Sequence, residues 1–112
     1  MDEVIRKVAA LGLPGVLLVV TMAATGFAGA AAITTALATL GGPFGMIGGI
    51  GLLGVAALIA DALGKYGIDA ILTEVYKERK KTESIESLCR EIHGLLISND
   101  LKRKLKEVIG CN

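Results

Sequence analysis

The sequence predicts an all-α fold, in which a two-helix apolar hairpin of the transmembrane type is followed by a short amphipathic helical tail. The first observation behind this is that no ionisable side chain lies between Lys7 and Asp61. The second is that 53% of the residues are hydrophobic but only 4% are aromatic, so small and aliphatic residues supply the apolar surface. The third is that this stretch has length for two spanning helices of about 20 residues each. Helix breakers at 41–45 divide it near its middle.

Residues 1–13 are predicted to form a short amphipathic N-terminal lead. Its apolar side chains recur at helical spacing and its charged side chains lie on other faces; the apolar positions are Val4, Ile5, Val8 and Leu11. Gly12 and Pro14 then interrupt the pattern. Because proline suits the first turn of a helix, we expect a new helix to begin near Leu13 or Pro14.

The apolar hairpin is assigned to residues 14–64, and its first helix is expected to end near Leu40. One face carries small residues at four-residue spacing, with Gly29 beside them: Ala24, Ala28, Ala32 and Ala36. Small residues let helix backbones approach closely in lipid. The row therefore suits either a tight contact within the hairpin or a contact with other copies. Hydroxyl side chains on this helix are candidates to line a pore, namely Thr21, Thr25, Thr34, Thr35 and Thr39.

The hairpin turn is expected at 41–45, and the second helix from about Ile50. Small residues continue through this part of the chain at Gly41, Gly45, Gly49, Ala56 and Ala60. Asp61, Lys65 and Asp69 then stand at four-residue spacing, which predicts a ladder of opposite charges on one helix face. About 25 Å of helix separates the turn from this ladder, close to the hydrocarbon thickness. We therefore expect the ladder at the membrane–water interface.

Residues 65–81 are predicted to extend the second helix with an amphipathic pattern. Its apolar face consists of Ile68, Ile71, Leu72, Val75 and Tyr76. A basic cluster closes this segment and is a candidate to meet the membrane surface: Lys77, Arg79, Lys80 and Lys81.

The helical charged tail, residues 82–112, reads as two short helices. Thr82 is the expected N-cap of the first, whose apolar stripe is Ile85, Leu88, Cys89, Ile92, Leu95 and Leu96. A second cap signal begins at Ser98, before a stripe of Leu101, Leu105, Val108 and Ile109, and Gly110 is the expected residue after the last helix. Four basic residues here either contact anionic lipid headgroups or form a solvated face: Lys102, Arg103, Lys104 and Lys106.

The two cysteines and the single histidine limit the chemistry of the chain. Cys89 and Cys111 lack metal-ligand spacing and are too few for a disulfide framework, so we expect ordinary thiols, with Cys111 able to crosslink copies. His93 has no partner for a catalytic base pair or a histidine metal site. We therefore expect a protein that is not an enzyme and uses no metal or cofactor.

The distribution of charge predicts a topology and argues against one class of partner. Basic residues flank both ends of the apolar stretch and the turn is neutral, so the positive-inside rule places both termini in the cytoplasm. Nucleic-acid binding is not expected, because the 12 basic residues are nearly balanced by 11 acidic ones and aromatic residues are not interleaved with them.

The stretch from Val19 to Leu40 resembles the small hydrophobic proteins of the interferon-alpha-inducible family. The resemblance lies in Gly26-Phe27 and Gly29-Ala30, followed by an Ala/Thr-rich helix. It implies a Gly/Ala-rich membrane protein of the kind linked to cell death and organelle membranes. The charged tail has no counterpart there, and no functional residue carries over.

Three functional hypotheses follow from these patterns. In the first, hairpins associate in a bilayer into a homo-oligomer that permeabilises the membrane in the manner of a toxin, effector or holin, or acts as a scaffold. In the second, the same Gly/Ala-rich helices assemble into a soluble filament or shell. In the third, the hairpin is an anchor and the tail recruits a cytoplasmic protein. The expected partners are thus other copies of the chain, the lipid bilayer and a cytoplasmic protein.

Overall fold

The computed structural model describes residues 1–24, 26 and 49–111, with side chains from Val55 onward in the last of these ranges. Within them the chain forms five helices and no strand, which confirms the predicted all-α class. The helices are α1 (Asp2–Leu11), α2 (Leu13–Ala24), α3 (Gly49–Arg79), α4 (Ile85–His93) and α5 (Asn99–Ile109). The predicted turn at 41–45 lies outside the described residues.

The N-terminal lead forms α1 because its apolar residues share one helix face. Val4, Ile5 and Val8 are buried, whereas Leu11 at the end of the helix is 36% exposed. Two acidic residues, Asp2 and Glu3, occupy the first turn, where they complement the helix dipole. The helix ends at Gly12, as the sequence predicts.

Helix α2 begins at Leu13, in agreement with the predicted restart, and the axes of α1 and α2 differ by 120°. It ends at Ala24, so the expectation of one helix to near Leu40 is wrong: Gly26 has φ 82°, which is not a helical conformation. The close approach between α1 and α2 depends on Gly15. A Cβ atom at this position would lie 2.4 Å from the backbone oxygen of Val8, so a larger residue would push the two helices apart. Most of α2 is apolar and buried, including Val16, Leu18, Val19, Val20 and Met22.

Helix α3 is interrupted at Gly67, which the sequence analysis did not predict. Gly67 has φ 84° and ψ 165°, a backbone conformation accessible almost only to glycine. The apolar segment before Gly67 and the amphipathic segment after it are therefore two helical segments with different axes. Beyond the break, the predicted apolar face is confirmed, because Ile71, Leu72, Val75 and Tyr76 are fully buried.

The tail consists of the two predicted helices, α4 and α5. The first begins two residues later than expected: the hydroxyl of Ser84, rather than Thr82, accepts a hydrogen bond of 3.2 Å from the Ser87 N–H. Ser98 caps α5 as predicted, and its hydroxyl accepts a hydrogen bond of 3.1 Å from the Leu101 N–H. Gly110 follows α5 in the left-handed conformation, also as predicted.

The tail helices bury most of their predicted stripes. Leu88, Ile92, Leu95, Leu101, Leu105 and Ile109 are buried, and Cys89 and Val108 pack at the edge of the core. Two members of the first stripe are not buried: Ile85 is 42% exposed and Leu96 is 93% exposed. Leu96 lies beyond the end of α4, so helical spacing no longer directs its side chain inwards.

The helices pack around α3. Helix α1 makes its most extensive contact with α3, α2 and α5 also pack on α3, and α4 packs on α5. The residues of α1 lie beside the last turns of α3, since Ile5 and Arg6 line one surface depression together with Glu74 and Glu78. In the described ranges, no single helix is both long and apolar enough to cross a bilayer. Among the described helices, one pair, α1 and α2, is long and apolar enough when taken together, and it is bent by 120° at its junction.

Candidate functional site

The charge ladder at the end of the apolar segment is formed in part. Asp61 and Lys65 pair at 3.2 Å across one turn of α3, and both side chains are mostly exposed. Asp69 does not continue this row, because the break at Gly67 separates it from Lys65. Its carboxylate instead accepts a hydrogen bond of 3.0 Å from Lys104, which joins α3 to α5.

Arg79 is placed differently from its prediction as a membrane-surface residue. Its side chain is only 3% exposed and is held by two carboxylates. Glu83 accepts from Nε at 2.6 Å and from Nη2 at 2.9 Å, while Glu91 accepts from Nη2 at 2.9 Å and also from Nη1. Arg79 therefore joins the end of α3, the α3–α4 connection and α4.

Tyr76 completes this group, which we call the Arg79 cluster: Tyr76, Arg79, Glu83 and Glu91. The Tyr76 hydroxyl donates to Glu91, and the guanidinium carbon of Arg79 lies 5.4 Å from the centre of the Tyr76 ring. Among the described residues, no buried side-chain nitrogen or oxygen atom lacks a hydrogen-bond partner. The charge of the buried Arg79 is therefore balanced by two carboxylates, and its N–H groups donate hydrogen bonds to them, as a charged group inside a protein requires.

The surroundings of the cluster change the pKa values of three of its members. Burial, reinforced by the hydrogen bond to Glu91, raises the pKa of Tyr76 far above its usual value. Burial alone would lower the pKa of Arg79, but its hydrogen bonds to Glu83 and Glu91 outweigh burial and raise it. The hydrogen bond from Arg79 lowers the pKa of Glu83. The cluster therefore favours a charged Arg79, a charged Glu83 and a neutral Tyr76.

The other predicted surface cations are exposed or partly exposed, and most of them already have acidic or carbonyl partners. Lys77 pairs with Glu74 at 3.4 Å and Lys81 with Glu78 at 3.0 Å. On α5, Arg103 pairs with Asp100 at 3.5 Å, Lys104 pairs with Asp69, and Lys102 donates to the backbone oxygen of His93 at 2.9 Å. These pairs reduce the positive charge that the tail presents to an anionic surface.

Part of the predicted small-residue row can be placed. Ala24 is exposed, Ala56 is buried and Ala60 is partly buried, while Gly49 begins α3. Thr21, a candidate pore-lining residue, is partly buried. The remaining members of these two sets lie outside the described residues: Ala28, Ala32, Ala36, Gly29, Gly41, Gly45, Thr25, Thr34, Thr35 and Thr39.

Cys89 and Cys111 form a disulfide, which corrects the expectation of two ordinary thiols. Their Cα atoms lie 6.0 Å apart, within the range that a disulfide spans. The bond joins Cys111, two residues beyond the end of α5, to the middle of α4, and both cysteines are partly exposed. Spacing alone could not identify this pair, because 22 residues separate the cysteines in sequence and only the packing of α4 on α5 brings them together.

Sequence reasoning also missed Glu83 and Glu91 as partners of Arg79. The four-residue spacing of Arg79 and Glu83 is a signal that could have indicated an ion pair. No comparable signal exists for Glu91, which reaches Arg79 through the turn between α3 and α4.

Comparisons of the chain with protein-family models, curated proteins and solved structures find no match. In the described ranges, no three His, Cys, Asp or Glu side chains converge as metal ligands.

Proposed function

We propose that this chain is a small integral membrane protein whose apolar segment associates with that of other copies. The observation that carries the proposal is the absence of ionisable side chains between Lys7 and Asp61. Burying so long an apolar segment requires lipid or other protein chains, since a small chain leaves much of its surface exposed. We further propose that this segment forms a two-helix hairpin and that both termini lie in the cytoplasm.

The tail and the apolar segment have different roles in this proposal, the tail in water and the apolar segment in the membrane. The tail helices have their own caps, a buried apolar stripe and the Arg79 cluster, all features of a water-facing folded module. The change from the apolar to the amphipathic segment of α3 occurs between Asp61 and Gly67. We place the membrane–water interface there, where the Asp61–Lys65 pair and the half-exposed Tyr66 suit the headgroup region.

The proposed activity is permeabilisation of the membrane by the assembled apolar segments. Small residues would provide the contacts between copies and threonine hydroxyls would line the water-filled path. Ala24 is the member of the row best suited to a test, because it is exposed in the single chain. A larger side chain there would disturb a contact between copies without disturbing the packing of the monomer.

The experiment compares dye release from anionic vesicles by the wild-type chain, Ala24→Leu and a control variant, Ala57→Leu. Ala57 is also exposed on an apolar helix but does not belong to the predicted row. We expect wild-type release, a loss of release for Ala24→Leu together with a smaller particle in detergent, and little change for Ala57→Leu. Absence of release by the wild type would reject the permeabilising activity.

A soluble assembly is the second candidate function, and one specific observation supports it. Most of the apolar side chains of α2, and of the part of α3 between Val55 and Leu63, are buried or partly buried within the chain itself, Ile59 and Leu63 among them. A filament or shell would then need only the residual apolar surface to be covered by neighbouring copies. Large particles that remain in solution without detergent after cell lysis would support this candidate over the first.

An adaptor role is favoured by the exposed Leu96, which lies on the tail between α4 and α5. A cytoplasmic protein that covered this side chain would remove apolar surface from water. If removal of the tail leaves both localisation and activity unchanged, the adaptor role is rejected.

A further inference from the structure

The disulfide lies beside a basic surface depression that the proposed function does not use. This depression has a volume of about 270 Å³ and is lined by Cys89, Arg90, His93, Lys106 and Cys111. Both disulfide residues thus form part of its wall. The chain therefore presents a partly exposed disulfide within a site where small molecules can reach it.

The described residues that line this depression carry positive charge. Among the described residues, neither Arg90 nor Lys106 forms an ion pair, in contrast to the paired cations elsewhere on α5. None of the described residues that line the depression is acidic. A second depression of about 530 Å³ is also lined by the two cysteines, but it differs because Glu86 and Ile85 line it together with Arg90. The first depression therefore attracts negative charge more strongly than the second.

We propose that the Cys89–Cys111 disulfide and the basic depression beside it form a thiol–disulfide exchange site for a small anionic thiol. The cations attract the carboxylates of the incoming thiol and place its sulfur near the disulfide. They also stabilise the cysteine thiolate that leaves when the disulfide opens, and a better-stabilised thiolate leaves faster.

The exchange proceeds in two balanced steps. The thiolate of the first small thiol attacks one cysteine sulfur, the S–S bond breaks, and the other cysteine leaves as a thiolate. The product is a mixed disulfide between the protein and the small thiol. A second small thiol attacks this mixed disulfide, releasing the oxidised dimer of the thiol and the second cysteine. Two electrons and two protons pass from two thiols to Cys89 and Cys111.

Reduction has a defined structural consequence. The disulfide covalently links α4 to Cys111, the second residue after α5. Once it opens, Cys111 keeps a backbone hydrogen bond, in which its N–H donates to the Lys106 oxygen at 2.8 Å, and its packing at the edge of the core. The end of the tail is then free to separate from α4.

The experiment uses the oxidised full-length chain in a neutral detergent and two probes, reduced glutathione as the anionic thiol and mercaptoethanol as the neutral one. The rate of disulfide opening is measured by acid quenching, alkylation and mass spectrometry. The quantity compared is the rate with glutathione divided by the rate with mercaptoethanol. Differences in fold stability or intrinsic disulfide reactivity between variants affect both rates alike and cancel in this ratio.

We expect this ratio to fall about fivefold in Arg90→Gln and in Lys106→Gln, the effect of removing one nearby charge in water. The control is Arg103→Gln, which removes the same charge from α5 but does not line the depression. Its ratio should stay at the wild-type value. In about 1 M salt the wild-type ratio should approach that of the two variants, because screening is then nearly complete.

Three outcomes would overturn the proposal. One is an equal ratio in all variants, and another is a fall in Arg103→Gln as large as in Lys106→Gln, which would indicate net charge alone. The third is the recovery of both cysteines as free thiols from protein purified in air without reductant. None of these outcomes bears on membrane permeabilisation.

Discussion

At the scale of single residues, Arg79 connects three parts of the fold through one side chain. Its guanidinium group binds Glu83 in the α3–α4 connection and Glu91 on α4, and it faces the Tyr76 ring. Removing one member of a buried ion pair leaves the other members without compensation. Lys77 lies two residues before Arg79 and was predicted to share its role at the membrane surface. Its pair with Glu74 has side chains that are 54% and 42% exposed. These two cations should differ greatly in their effect on stability.

We expect Arg79→Met to lower the free energy of unfolding by about 3 kcal/mol, because Glu91 is left buried without its charged partner. The control Lys77→Met should cost less than about 1 kcal/mol, as exposed pairs do. Both values come from urea unfolding of the full chain in detergent, followed by far-ultraviolet circular dichroism. Equal losses in the two variants would show that Arg79 is not a structural centre of the tail.

The lowered pKa of Glu83 predicts a dependence of stability on pH. A carboxyl group whose pKa is lower in the folded state stabilises the fold above its unfolded-state pKa, and this contribution is lost as the pH falls through the folded-state value. The free energy of unfolding should therefore decline as the pH falls below about 4.5, the ordinary pKa of a glutamate. In Glu83→Gln, the urea midpoint should depend less steeply on pH in this window. An unchanged slope would contradict the assignment.

At the scale of helices, the break at Gly67 separates the apolar part of α3 from the part that belongs to the tail. The sequence contains 15 glycines, many of them in the apolar stretch, so nothing marks Gly67 as special. Its neighbour Gly64 has ordinary helical geometry. A Cβ atom would have no neighbour within 4 Å at either position, so the two glycines differ in backbone conformation and not in available space.

This difference in backbone conformation predicts that alanine substitutions at the two glycines change the stability of the fold in opposite directions. Gly67→Ala should destabilise the chain by about 1–3 kcal/mol, because alanine disfavours the observed φ and ψ. Gly64→Ala should stabilise it by up to about 1 kcal/mol, because alanine is the better helix former. Thermal unfolding of both variants in the same detergent checks this. Stabilisation by both substitutions would mean that α3 continues through Gly67 as an unbroken helix.

The helices were predictable from sequence where local patterns determine them. Leu13 as a helix start, Ser98 as a cap and Gly110 as a terminator all follow from short-range preferences. The burial of Arg79 and the pairing of Cys89 with Cys111 did not follow, because both depend on how separate helices meet. The apolar spacing indicates which face of α4 is buried, but it carries no information on which residues of other helices that face will contact.

At the scale of the whole molecule, the first helix and the tail are parts of one packed structure. The sequence separates the N-terminal lead from the tail by the entire apolar segment. In the structure, α1 lies against the last turns of α3, and Arg6 and Ala9 share a surface depression with Arg79 and Thr82. The buried residues of α1 and those of the tail also belong to one hydrophobic cluster. Changes in α1 should therefore be detected in the tail.

Val8 provides the test, since its side chain is fully buried whereas that of Leu11 is 36% exposed. Val8→Ala should cost about 2 kcal/mol, from the lost apolar contacts and the cavity that remains. Leu11→Ala should cost less, although it removes a larger side chain. The measurement is the near-ultraviolet circular dichroism of Tyr76 during urea unfolding in a Tyr66→Phe background, where Tyr76 is the remaining tyrosine. Because Tyr76 belongs to the Arg79 cluster, a lower midpoint in Val8→Ala would show that α1 stabilises the tail. An unchanged Tyr76 transition, with loss of helix elsewhere, would instead mean that α1 and the tail unfold independently.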